Sequence, residues 1–203
     1  MVFAGLLAGG CIHLKQEIEI RKGNTGRFSM AMSVPDSVYA GLMQGKHKRL
    51  EPVRKLFVKE AGAAMFPANA GFRIFRYRVY TDEGRHHVVI EGKLVDAKKA
   101  LASGRLGNFQ FEPKEGGGGR LQLTLTHPLK GSGTAAAVIS DTVKDEMRAA
   151  AAGIRIELTI KVPKKITRAG TKDTGKRVAR WVFDPAQDDA FLFTAPDISL
   201  EWE

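Results

Sequence analysis

Apolar residues along most of this chain fall two apart. Ile12, Leu14, Ile18 and Ile20 alternate with His13, Lys15, Glu17, Glu19 and Arg21, the spacing of a strand with one face buried and one wet. Gly23-Asn24-Thr25-Gly26 has turn chemistry, and beyond it Phe28, Met30, Met32 and Val34 alternate with Arg27, Ser29, Ala31 and Ser33. The two runs predict a hairpin. A second hairpin is predicted over 72–81 and 86–95, around Asp82-Glu83-Gly84. Phe109 and Phe111 start a strand that runs into Gly116-Gly117-Gly118-Gly119, read as a mobile hairpin tip, with Leu121, Leu123 and Leu125 alternating after it. The clearest strand is 154–162, with Ile154, Ile156, Leu158, Ile160 and Val162 on one face. Further strands are predicted over 178–183, 190–194 and 198–202.

Helical spacing interrupts this pattern four times. Asp36 or Ser37 offers an N-cap oxygen to a helix ending at Gly45. A second helix is predicted over 46–61, with Leu50, Val53, Phe57 and Ala61 on one face and Pro52 in its first turns. A short one over 96–103 closes at Gly104. The longest, 134–152, sets Ile139, Val143, Met147 and Ala150 on one face and ends at Gly153. Hairpins with interspersed helices predict an α+β fold, a mostly antiparallel sheet with helices covering one face. There is no internal repeat. With 203 residues, 43% of them hydrophobic, the chain can bury a core as one domain over 11–203.

The first ten residues differ from the rest. They carry no charge and end in Leu7-Ala8-Gly9-Gly10 before Cys11, the one cysteine in the chain. This resembles a bacterial lipoprotein signal ending in a lipobox: residues 1–10 would be removed and Cys11 acylated as the first residue of the mature protein. The basic start of such a signal is missing. The other reading makes 1–12 the first strand of a cytosolic domain and Cys11 a small buried hydrophobe. Either way no disulfide can form within the chain, and no apolar run approaches the ~20 residues that span a bilayer.

Several features together resemble a known family. The cysteine is followed by two strands ending in Val34-Pro35. A helix precedes the long strand that ends in Val162-Pro163, and a basic loop leads to Val178-Ala179-Arg180-Trp181-Val182-Phe183-Asp184. This pattern is similar to the LppM-type family of bacterial membrane lipoproteins. The resemblance implies an extracytoplasmic α+β domain, membrane-anchored in the bacterial cell envelope and binding lipid or envelope glycolipid. It implies no catalytic residues.

Charge narrows the choice of partner. The formal net charge is +10, and attraction to an anionic surface or polymer follows. One cluster holds Lys46, Lys48, Arg49, Arg54, Lys55 and Lys59, opposed by Glu51. The other holds Lys161, Lys164, Lys165, Arg168, Lys172, Lys176, Arg177 and Arg180, opposed by Asp173. Both are expected to meet anionic lipid or glycolipid, or an envelope partner, and to orient a tethered domain on its membrane. Both could equally be ordinary solvated faces. The rival class is a cytosolic nucleic-acid-binding domain, with Phe72, Phe75, Tyr77 and Tyr80 stacking bases on a basic sheet face.

Catalytic chemistry finds little to work with. Adjacent His86 and His87 on one strand point to opposite faces and cannot share a metal. His13, His47 and His127 are scattered, and one cysteine makes no structural zinc site. Gly131-Ser132-Gly133-Thr134 lacks the P-loop lysine and reads as a turn leading into a helix. The expectation is a protein that is not an enzyme and needs no cofactor or metal, an unrecognised active site being the remaining alternative. A lipid binder would keep a cavity lined by Phe28, Met30, Met32, Met147, Ile156, Leu158 and Ile160; an ordinary packed core would use the same residues.

Overall fold

The first predicted hairpin forms the middle of a six-stranded sheet. In the computed structural model, which describes residues 12–45, 50–123, 140–194 and 196–203, strand β1 (Ile12–Arg21) pairs antiparallel with β2 (Thr25–Pro35). The second hairpin, β3 (Phe72–Asp82) and β4 (Arg85–Leu94), adds to the free side of β2, with Met30 opposite Ile90. On its other side β1 runs parallel to β7 (Ile154–Lys161), Ile18 beside Ile160, and β9 (Val178–Phe183) pairs antiparallel with β7. The order is β3-β4-β2-β1-β7-β9. A second, antiparallel sheet of four strands has the order β5-β6-β10-β8, from β5 (Phe109–Pro113), β6 (Gly119–Leu123), β8 (Ile166–Ala169) and β10 (Ile198–Trp202). The fold is α+β and mostly antiparallel, as its hairpins predict.

One core lies between the layers. The large sheet buries Ile18, Ile20, Phe28, Met30, Val34, Val88, Ile90, Leu158 and Ile160, the faces that alternation marks as apolar. Burying a side chain of this size stabilises by about 1.5–3 kcal/mol, so this face dominates the energetics. Helix α1 (Asp36–Met43) covers β2 and β4 with Val38 and Leu42. Helices α2 (Glu51–Leu56) and α3 (Lys59–Ala64) follow, α3 packing on β3. The second sheet completes the same core with Phe109, Phe111, Leu121, Ile198, Leu200 and Trp202. Helices thus cover only part of the face. Polar atoms entering the layer are satisfied: Gln16 Nε2 donates to the Leu106 carbonyl at 2.7 Å, and Trp181 Nε1 to that of Asp197 at 3.0 Å. Phe28 stacks on Phe66 and meets Phe72 edge-on, both at 5.4 Å. Five of the seven residues expected to line a lipid cavity, Phe28, Met30, Met32, Leu158 and Ile160, belong to this packed core.

Four elements differ from their predicted form. The helix over 46–61 is broken: α2 ends in a tight turn, Phe57 N–H bonding the Arg54 carbonyl, and extended Val58 separates it from α3. Of the long helix predicted over 134–152, α5 (Asp141–Ala151) forms the described part, residues 134–139 lying outside the described residues. Extended Ser140 caps it by accepting from Val143 N–H. Residues 190–194 form a 3-10 turn over Ala190–Leu192, because Asp188 Oδ1 accepts the Ala190 N–H at 2.9 Å and curls the chain. Part of the expected basic loop is strand β8, held by β10. Helix α4 (Ala97–Ala102) forms as expected, its cap Asp96 also bonded by Asn24 of the first turn. The segment 131–134 and Cys11 lie outside the described residues.

Close approach of β4 to the core ring of Phe28 requires Gly92. A Cβ there would sit 2.5 Å from Phe28 Cε1 and 3.0 Å from the Arg73 carbonyl. Gly92→Ala is therefore expected to lower unfolding free energy by about 1–3 kcal/mol in a denaturant titration. Gly175→Ala, which meets nothing within 4 Å, should stay within about 0.5 kcal/mol of the parent.

Candidate anion-binding groove

The parallel register of β1 and β7 sets Glu19 beside Lys161, so the two strands end together and their charged termini meet. Between them and the start of β9 lies an open groove of about 420 Å³. Its floor is apolar: Ile20 and Val162 are buried, Pro163 half-buried and Val178 partly exposed. The Val162 N–H bonds the Arg177 carbonyl at 3.0 Å, which fixes the far wall. Arg21, Lys22, Lys161 and Arg177 form the rim, with Glu19 as the one acid.

Pairing divides these cations into two kinds. Arg21 binds Glu19 at 2.8 Å, and that hydrogen bond is the main reason the Glu19 carboxyl titrates below its ordinary range. Lys161 Nζ donates to Glu17 at 2.7 Å. Lys22, Lys164 and Arg177 have no ion-pair partner among the described residues. Lys22 and Lys164 converge on the tetraglycine tip between β5 and β6. A Cβ on Gly117 would lie 3.5 Å from Lys22 Cγ and 3.9 Å from Lys164 Cε. The tip is not the free hairpin end expected from its composition. Trp202 Nε1 donates to the Gly117 carbonyl at 3.1 Å, and a Cβ on Gly119 would lie 2.5 Å from the Trp202 ring. Glycine lets the second sheet close on the basic end of the first, seating two lysines side by side. The Lys22 ammonium and the Arg177 guanidinium above an apolar floor, with the Lys164 ammonium near Lys22 at the tip, suit an anionic group attached to a hydrocarbon.

The predicted basic residues separate in space. Lys46, Lys48 and Arg49 lie outside the described residues. Arg54 is held by both oxygens of Glu51, at 2.7 and 2.6 Å, and Lys55 is 3.9 Å from the same carboxylate. Lys59 stands apart, beside β3 at the opposite edge of the large sheet. Of the second cluster, Lys161 and Arg177 line the groove and Lys164 stands at the glycine tip, while Lys165 is exposed before β8 and Arg168 sits opposite Glu201 on the small sheet. Arg180 binds Glu157 at 2.6 Å. Arg21, Lys22 and the glycine tip are site residues that pattern reading misses, since only the long-range β1–β7 pairing brings them there.

The rings proposed as a base-stacking platform do not share a face. Phe72 is core. Tyr77 turns inward, its hydroxyl donating to the Leu56 carbonyl at 2.6 Å, and burial pushes its pKa up to about 12. Tyr80 stacks on His87 at 4.8 Å, and Phe75 occupies a bulge. His86 and His87 do point apart, His86 lying on Tyr39 at 3.5 Å with Nε2 2.8 Å from Asp36. Among the described residues no three His, Cys, Asp or Glu side chains gather as metal ligands, and no helix is long and apolar enough to cross a membrane.

No family model matches the chain, and no curated protein matches it. Among solved structures it is similar to the folded domain of LppM from Mycobacterium tuberculosis, determined by NMR. That match has 8% sequence identity and a TM-score of 0.47, over 95% of this chain and 89% of that one. No residue role is carried across at that likeness.

The wet face of the large sheet is held by a charge network around Glu157. Arg180 and Arg155 bond its two oxygens at 2.6 and 2.9 Å, and Arg155 also reaches Asp184 at 3.0 Å. These bonds, Arg180 first, hold the Glu157 carboxyl below its ordinary value of 4.5. A lowered folded-state pKa stabilises above the unfolded value and is lost as pH falls through the folded one. Glu157→Gln should thus melt lower than the parent at about pH 7 and converge with it towards about pH 3. Parallel melting curves across that range, with a constant gap, would contradict the linkage.

Proposed function

We propose that this is a non-catalytic binding domain of the bacterial cell envelope, held at the membrane through an acylated Cys11, which takes anionic lipid or glycolipid headgroups at the β1–β7–β9 groove. The observation that carries the reading is the pair Lys22 and Arg177, without an ion-pair partner among the described residues, over the apolar floor of Ile20, Val162, Pro163 and Val178, with Lys164 near Lys22 at the glycine tip. A phosphate or carboxylate replaces no internal ion pair there, so its attraction is not offset by breaking one. The groove's own carboxylate, Glu19, is occupied by Arg21 and leaves no base beside a nucleophile, which supports binding over catalysis. Nucleic acid on the sheet face is the weaker reading, because the rings that would stack bases are divided between the core, the inner face and a bulge.

Geometry adds a consequence for the anchor. Cys11 precedes β1 in the sequence and Lys22 follows it, and β1 itself runs about 30 Å from Ile12 to Arg21 at strand rise. Anchor and groove therefore lie at opposite ends of one central strand. Contact between the groove and the anchoring bilayer needs β1 to lie along the membrane plane. With β1 upright the groove meets headgroups on the far side of the domain.

Two measurements test this. Full chain carrying Cys11→Ala should leave the membrane fraction of a bacterial expression host; unchanged association would remove the anchor. The same soluble variant should sediment with phosphatidylglycerol-containing vesicles, far less with pure phosphatidylcholine, and release as salt rises above about 0.15 M, where the screening length falls below about 8 Å. Each basic residue near an anionic surface contributes about 1 kcal/mol, so adding Lys22→Gln and Lys164→Gln should weaken partitioning about thirtyfold. Equal binding to neutral vesicles would contradict the proposal.

A further inference from the structure

The groove leaves one feature at the other side of the molecule unused. Among the described residues, strand β3 is an outer strand of the large sheet, with β4 on one side only. Its hairpin closes through Glu83-Gly84, both with left-handed backbone (φ 46° and 69°), so Asp82 and Arg85 form the hydrogen-bonded pair next to the turn. Counting back by twos, Tyr80 and Arg78 also bond β4. The N–H and C=O groups of Thr81, Val79 and Tyr77 then point away from the sheet. A bulge at Phe75 interrupts the start of this edge, but from Arg76 to Asp82 pairing with β4 is regular and contains no proline. Edges of this kind are ordinarily blunted or covered.

Beside the edge is an open groove of about 590 Å³ lined by Phe57, Lys59, Tyr77, Arg78, Val79 and Tyr80. Val79 is 37% and Tyr80 45% exposed. Lys59, on the inner side, and Arg78, on the outer side, have no ion-pair partner among the described residues, and Arg76 next to them shares only Glu91, at 3.2 Å. We propose that this edge docks an extended, acidic segment of a partner protein as an added strand. Main-chain bonds to Tyr77, Val79 and Thr81 would supply affinity. Acidic side chains of the added strand facing outward would meet Arg76 and Arg78, and one facing inward would meet Lys59, with small apolar residues over Phe57 and Val79. A second copy fits less well: self-pairing brings another Lys59 and Arg78 into the same groove, on a chain of formal charge +10. This inference is independent of the lipid reading and uses a different face.

The test uses the soluble full chain carrying Cys11→Ala and a fluorescent peptide of about nine residues alternating Glu with Val and Thr, with one Glu also on the Val and Thr face to meet Lys59, beside its Lys counterpart. Anisotropy should show binding of the acidic peptide and much weaker binding of the basic one. Amide exchange of the complex should slow at Tyr77, Val79 and Thr81. Val79→Pro removes one outward donor at an edge position where proline is tolerated, and should weaken binding at least about tenfold. Lys59→Glu with Arg78→Glu should reverse the preference between peptides, whereas Lys22→Gln with Lys164→Gln should leave it unchanged. If Val79→Pro fails to fold, the exchange pattern and the charge reversal decide. Equal binding of both peptides, protection at other amides, or peptide-free dimerisation through β3 would overturn the proposal.

Discussion

Everything in this fold hangs on the pairing of β1 with β7. The two strands are separated by most of the chain, and closing a loop of that length costs on the order of 4 kcal/mol before any contact forms. Ile18 beside Ile160 and Gln16 beside Leu158 offset that cost by placing four residues of the inner layer in register. The pairing extends the β1–β2–β4–β3 meander into a six-stranded sheet, gives Trp181 of β9 its place against the second sheet, and brings two charged strand ends together. Without it there is a hairpin meander with half a core and no basic groove.

Charge acts differently at the two ends of the large sheet. Counting lysines and arginines along the chain gives two clusters, of six and eight residues. Pairing then sorts the described cations: Glu51 occupies Arg54 and approaches Lys55, and Glu19 and Glu17 are committed to Arg21 and Lys161, while Lys59, Lys22, Lys164 and Arg177 have no ion-pair partner among the described residues. Exposed ion pairs contribute little to stability, but they decide which cations remain available to a ligand. The net charge then sets the long-range attraction, and the unpaired residues set where it ends.

The two surfaces proposed to bind differ in what they recognise. The groove at the end of β1 presents side-chain cations over hydrocarbon. The edge of β3 presents backbone first, with cations on either side of it. A headgroup needs only the former, and an extended peptide needs the latter. The two can be separated by mutation because β4 and β2 lie between them.

Local alternation was enough to identify β1, β2, β7 and β10 with their apolar faces, and to place β3, β4 and β9 without them, because one buried face imposes a period of two on any half-covered strand. It also predicted an α+β class and the opposed directions of His86 and His87. Where the local pattern was weak, side chains elsewhere decided: Asp188 curls 190–194 into a turn, extended Val58 breaks the helix after Phe57, and β10 draws the basic segment at Ile166 into a strand. The tetraglycine looked free because composition says nothing about Trp202 closing on it. Sequence by itself determined which residues face the core and that the surface is basic. Tertiary structure alone decided that there are two sheets, which strands lie at their edges, and which cations stay unpaired, since each depends on contacts between residues far apart in the chain.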